Sequence, residues 1–136
     1  MKYFLDSNIC IDCLRGKAAL VMQMLQRLEP SQVKIPSMVR AELLHGAAKS
    51  AHPKRNRELV ELFLAPFEVV AFDYSSASAY AQIRSGLEKK GLLIGFNDLI
   101  IAATVMAREG ILVSSNTREF SRIEGLEFED WAEIPF

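Results

Sequence analysis

The chain has 136 residues, 50% hydrophobic and 24% charged, with 7 Gly and 5 Pro; this excludes disorder, collagen-like repeats and low complexity, and the length suits a single domain, 1–136. With 16 Lys and Arg against 17 Asp and Glu the formal charge is −1, so the chain is not a globally basic nucleic-acid binder. Two Cys exclude a disulfide framework and suit a reducing cytoplasm, Lys2 and Asp6 interrupt any signal-peptide stretch, and the longest nearly apolar run, 99–107, is half of the ~20 residues that a bilayer span needs.

Strand-like and helix-like segments alternate, which predicts an α/β domain around a mostly parallel sheet. Residues 2–6 (KYFLD) read as a buried strand. Helices are predicted over 8–14 and 18–28, the second from apolar Leu20, Met24, Leu25 and Leu28, with Pro30 stopping it. Residues 33–35 form the next strand, and Pro36-Ser37 start a helix to about 49. Pro53 breaks the chain ahead of a short helix over 56–64. The β-branched and aromatic stretch 67–72 (FEVVAF) predicts a strand, and 75–90 a long helix closed by Gly91. Residues 98–108 are helical and apolar on most sides, as an interior helix requires, with Gly110 behind them. The last core strand is 111–114, and a short turn or helix starts at Thr117.

Acidic and polar residues stand where such a fold binds ligands. Asp6 closes the first strand and Ser114-Ser115-Asn116 close the last core strand, so both point to the crevice beyond the carboxyl ends of the strands. Glu42 (in VRAELLHGA) and Asp98 (heading NDLIIAATVMA) interrupt apolar helical stretches. An ionised carboxylate among apolar neighbours is costly without a positive partner, and no Lys or Arg lies within four residues C-terminal to Asp98. A divalent cation is the simplest partner, and hard oxygen donors favour Mg²⁺ or Mn²⁺ over Zn²⁺. Each residue also has a plain structural reading: Asp98 as a first-turn complement to the helix dipole, Glu42 as part of a solvated helix face, Asp6 as a turn residue. If four carboxylates gather at one site, the 16 cations face 13 remaining acids, which leaves a mildly basic surface elsewhere.

Four ordered motifs, LDSNICIDCLRG, VRAELLHGA, IGFNDLIIAA and VSSNTREFSRIEGLEFEDW, span nearly the whole chain. In them the chain resembles the PIN-domain endoribonuclease toxins of the VapC family, from bacterial type II toxin–antitoxin pairs. The resemblance implies a three-layer α/β/α fold around a parallel sheet, Mg²⁺- or Mn²⁺-dependent RNA cleavage that inhibits translation and growth, and a homodimer or a dimer-based complex with an antitoxin. It places the family's acidic positions on Asp6, Glu42 and Asp98. A fourth position, commonly Asp or Asn after a Thr, falls on Asn116 with Ser114 in place of the Thr, and the acidic residue of the family's closing D-F or E-F step is Glu119. Two departures stand out: Asn116 offers a carbonyl but no charge, and Phe96 replaces the Pro that many relatives carry two residues before the helical Asp. The expected chemistry is in-line hydrolysis leaving a 5′-phosphate. Asp6 and Asp98 hold the metal, Glu42 joins them directly or through water, and Ser114, Asn116 and Glu119 position phosphate or water. The implied partners are a VapB-type antitoxin whose C-terminal segment covers the site, and structured RNA such as a tRNA, whose anticodon loop offers unstacked nucleotides.

Other features carry competing readings. Cys10-Ile-Asp-Cys13 matches the C-x-x-C of redox proteins, but its apolar surroundings predict buried, inert thiols. Glu42-Leu-Leu-His45 is one half of a di-iron motif without its second copy, which leaves His45 on a helix surface or pocket rim, and His52 before Pro53 reads as structural. Asp6-Ser7-Asn8 resembles the D-x-D of haloacid-dehalogenase phosphatases, although Asn8 cannot act as their general acid. A non-catalytic RNA- or protein-binding module is the alternative from another class. Basic residues gather at Lys49, Lys54, Arg55 and Arg57, at Lys89-Lys90, and at Arg118 and Arg122; the last two, close to Asn116, are candidate RNA-backbone contacts, with solvated faces as the plain reading. Trp131, Phe128 and Phe136 form an apolar tail that serves as core cover or an edge strand.

Overall fold

The structure, a computed structural model, describes residues 1–132. Phe136 of the apolar tail lies outside the described residues. In chain order the elements are β1 (Tyr3–Leu5), α1 (Ser7–Leu14), α2 (Ala19–Arg27), a 3₁₀ turn (Pro30–Gln32), β2 (Val33–Pro36), α3 (Ser37–Ala48), α4 (Pro53–Leu64), β3 (Glu68–Val70), α5 (Tyr74–Lys89), α6 (Phe96–Ala107), β4 (Ile111–Val113), α7 (Thr117–Phe120) and β5 (Glu127–Glu129). The strands form one parallel sheet in the order β3-β2-β1-β4-β5, with helices on both faces, the α/β/α arrangement expected. Among the described residues no helix is long and apolar enough to cross a membrane.

The order of strands fixes the position of the crevice. From β1 the chain winds outward to β2 and β3, then crosses back to lay β4 and β5 on the other side. The reversal falls between β1 and β4, whose ends are followed by Asp6 and Ser114. Phe4, paired with Leu112 in β4 and Lys34 in β2, sits at the centre of the sheet and is fully buried, with Leu5, Ile35, Leu112 and Val113. Helix α6 covers them as the interior helix its composition predicts, burying Leu99, Ile101, Ala102 and Val105.

Several boundaries depart from the sequence reading for local reasons. Helix α4 starts at Pro53 itself, because the first turn of a helix has no use for the N–H that Pro lacks. Helix α6 starts at Phe96, ahead of the predicted 98. The apolar tail divides between both of its readings. Phe128 lies in the edge strand β5, while Trp131 is fully buried, edge-on to Tyr3 at 5.3 Å, with its indole N–H donating to Glu129 at 3.0 Å. Arg108 was not singled out in the sequence, yet it joins two helices: its guanidinium donates to Asp73 (3.0 Å) and Ser76 (3.1 Å) at the start of α5 and to the Ala71 carbonyl (2.9 Å).

At the end of α6 the left-handed residue is Glu109, with φ +52°, rather than the glycine beside it. Gly110 is needed for a different reason, since a Cβ there would lie 2.3 Å from the Phe4 ring. Glu109→Gly is therefore expected to stabilise the chain by about 1 kcal/mol, since left-handed backbone burdens any residue with a Cβ. Gly110→Ala is expected to destabilise it by about 1–3 kcal/mol through overpacking. Urea denaturation of both variants tests the pair, and destabilisation by Glu109→Gly would contradict the assignment of strain.

Candidate active site

Each acidic residue is delivered by a different element. Asp6 follows β1 and caps α1, its Oδ1 accepting from the Ile9 N–H at 3.0 Å. It is 4% exposed, and its Oδ2 accepts a hydrogen bond from the hydroxyl of fully buried Ser114, at the end of β4. Ser114 is held in turn from both sides. Its N–H donates to the Glu129 carbonyl of β5 at 3.0 Å, and its Oγ accepts from the Asn116 N–H at 2.9 Å.

Glu42 reaches in from α3. Its Oε1 accepts from the Ser7 hydroxyl at 2.6 Å, and its Oε2 from the Asn97 amide at 3.4 Å. Asp98 lies in the first turn of α6, and Glu119 in α7. The Asn116 amide bridges these two carboxylates, 3.5 Å from Asp98 Oδ2 and 3.4 Å from Glu119 Oε2. Asn116 thus fills the fourth position as a neutral donor between two acids.

The electrostatics tie the four acids to one place. Burial first, then Glu119, Asp6 and Glu42, push the Asp98 carboxyl up to about 6. Burial also raises Asp6, with Glu42 and Asp12 adding to it, although the Ser114 hydroxyl and the Ile9 N–H favour its ionised form. Among the described residues no Lys or Arg pairs with any of the four carboxylates; the ion pairs run elsewhere, as in Lys34–Glu68 and Arg40–Glu61. Nor do any three His, Cys, Asp or Glu of the described residues already stand as a ligating trio; each acid is held by a neutral hydroxyl or amide instead. This donor set, all hard oxygen and short of positive charge, suits a divalent cation, which PIN ribonucleases generally require.

The structure therefore brings Asp6, Glu42, Asp98, Ser114, Asn116 and Glu119 together. Sequence reasoning missed Ser7 and Asn97, the two donors on Glu42, although each adjoins an acid that was singled out. A groove of about 560 Å³ leads away from Glu42, Ser7 and Asn97 between α1 and the α3–α4 pair, with His45 and Lys49 on its walls. Arg118 is exposed on α7, whereas Arg122 is half-buried and donates to the Leu93 carbonyl at 3.4 Å, a tether for the segment before α6. Cys10 is fully buried and Cys13 half-buried. Burial pushes both thiols up, Cys13 to about 11, so they stay protonated and unreactive.

The sequence and its fold are similar to those of known proteins. The PIN domain family matches residues 3–126. The tRNA(fMet)-specific endonuclease VapC of Shigella flexneri is 38% identical over 97% of this chain and 99% of its own, and ribonuclease VapC2 of Rickettsia felis is 36% identical over 96% and 98%. The crystal structure of VapBC2 from Rickettsia felis, bound to a DNA fragment from their promoter, contains a chain that superposes with a TM-score of 0.91 at 35% identity, covering 96% of this chain and 99% of that one. Likeness over almost the full length of both partners sets the haloacid-dehalogenase reading of Asp6-Ser7-Asn8 aside, and the chain belongs to the VapC ribonucleases of the PIN-domain family.

Proposed function

We propose that this chain, a single PIN domain over 1–136, is the toxin of a type II toxin–antitoxin pair and a metal-dependent endoribonuclease acting at the site of Asp6, Glu42, Asp98 and Glu119. The observation that carries the reading is the electrostatic coupling of Asp98 to Glu119, Asp6 and Glu42, with no Lys or Arg among the described residues paired to any of the four. Asp6, Asp98 and Glu42 would hold Mg²⁺, or Mn²⁺ in its place. When bound, the cation compensates the charge of the phosphodiester and acidifies water.

The chain's own groups do the positioning. The Ser114 hydroxyl and the Ile9 N–H fix both oxygens of Asp6. Ser7 and Asn97 set the rotamer of Glu42, and the Asn116 amide orients Asp98 and Glu119 toward each other. Water attacks phosphorus opposite the 3′ oxygen, the P–O3′ bond breaks, and a 5′-phosphate and a 3′-hydroxyl result, the water's proton ending on the 3′ oxygen. Arg118, exposed on α7, and Arg122, which also donates to the Leu93 carbonyl, would contact the RNA backbone.

The substrate is structured RNA, a tRNA by analogy with the endonuclease of Shigella flexneri, and the partner is a VapB-type antitoxin, by analogy with the VapBC complexes. Protonated, unpaired thiols at Cys10 and Cys13 suit a cytoplasmic location. Brief induction followed by sequencing of RNA 5′ ends is expected to reveal one cleaved class of RNA, and growth arrest that Asp6→Ala relieves. Arrest that survives Asp6→Ala, with no new 5′ ends, would mark a binding module instead.

A further inference from the structure

Phe96 is the first residue of α6, and 51% of its surface is exposed. That position rewards proline or a residue of high helix propensity, and a half-exposed aromatic ring there adds little to the helix. The ring is nevertheless held in place. The Arg84 guanidinium lies 4.6 Å from the ring centroid, and Arg84 is itself anchored, donating to the Tyr80 hydroxyl at 3.1 Å and pairing with Glu88 at 3.6 Å. Its neighbours Leu92 and Leu93 are also exposed, at 40% and 37%. Other large apolar side chains reach solvent elsewhere, Tyr74 and Leu62 among them, but Phe96 stands within one helical turn of the acids: Asn97 donates to Glu42, and Asp98 follows.

We propose that Phe96, backed by Arg84, is a stacking platform for one nucleobase of the RNA whose phosphodiester occupies the carboxylate site. The inference rests on the ribonuclease reading above and adds a residue that selects and orients the strand. Phe96 stands two positions before Asp98 in α6, so the ring and the carboxylate leave the helix in different directions, and a strand with its phosphate at Asp98 reaches the ring across the first turn of the helix. Arg84 lies against the ring by cation–π contact, which leaves the ring's exposed surface for a base. The preference so created is for an unstacked, single-stranded nucleotide next to the cut, because a paired base has no face to offer.

The test uses the full chain carrying Asp98→Asn, so that binding is read without cleavage, and an initiator tRNA transcript as the probe. F96A and F96L are each expected to weaken the Kd by roughly 5- to 150-fold, the range for loss of one base–aromatic stack. F96W is expected to hold the Kd within about twofold, and the salt dependence is expected to stay unchanged in every variant because no phosphate contact is lost. A Kd for F96A within about twofold of its parent overturns the proposal. So does rescue by leucine, which would make the ring a mere apolar filler. So does a change of oligomeric state in F96A with unchanged RNA binding, which would make it a contact between copies of the chain. Failure of the parent to bind RNA, together with failure of the wild type to cleave it, removes the ribonuclease reading as well. Normal cleavage by the wild type with an unaffected F96A removes the stacking platform alone.

Discussion

Asp98→Asn is expected to lower RNA cleavage by on the order of 10³-fold and, at the same time, to raise the thermal midpoint of the metal-free protein. Both effects have one cause. Burial and the charges of Glu119, Asp6 and Glu42 raise the Asp98 carboxyl from 3.8 to about 6. Between those values the folded chain binds more protons than the unfolded chain, so stability falls as pH rises through the window. The full penalty is present above pH 6, on the order of 2 kcal/mol after allowance for partial exposure. Asparagine has the same shape without the charge, and the penalty goes with it, worth roughly 5 °C in a chain of this size. Mg²⁺ is expected to stabilise the wild type at pH 7.5, to do so far less at pH 5, and to leave Asp98→Asn almost unaffected. Thermal melts at the two pH values, with and without Mg²⁺, read all of this together. A lower midpoint in the variant, or retained turnover, would contradict the assignment.

Trp131→Ala is expected to cost about 3–5 kcal/mol, a large share of the stability of an ordinary domain. The indole is fully buried, packs edge-on against Tyr3 in β1 and donates to Glu129 in β5, so it fastens the last strand to the first. The damage should also reach the chemistry, because the Glu129 carbonyl receives the Ser114 N–H, and the Ser114 hydroxyl holds Asp6. Urea denaturation gives the loss directly, and cleavage measured well below the midpoint should fall as well. Trp131→Phe, which keeps the ring contact but not the N–H, should retain most of the stability. A loss below about 1 kcal/mol for the alanine variant would mean that the tail is dispensable to the core.

The parallel sheet and the order of the acids were legible because they follow from strong signals. Apolar strand segments alternating with helices demand crossovers, and crossovers place the polar residues that end β1 and β4 in a shared crevice. Asp6, Glu42 and Asp98 stand out as charges in apolar surroundings, whereas Ser7 and Asn97 carry no such contrast and gain meaning only when α1, α3 and α6 meet around Glu42. Pro53 misled because the same residue that breaks a helix interior is well suited to its first turn. Strand β5, with Glu on either side of Phe128, has the polar pattern of a turn and becomes a strand through pairing with β4. The left-handed turn at Glu109 was hidden by the glycine next to it, whose place is dictated by the Phe4 ring. Arg108 likewise reads as one more surface cation until Asp73, Ser76 and Ala71 converge on it.

The hydrogen bond between Ser114 and Asp6 joins residues 108 positions apart. A ribosome making this chain has therefore laid down the first acid long before the strand that steadies it emerges, and Trp131 follows later still. Until β4 has been made, the nascent chain carries Asp6 without the hydroxyl that orients it. A truncated product that lacks β4 and β5 inherits three of the four acids but neither the strand that completes the crevice nor the hydroxyl that orients its deepest carboxylate.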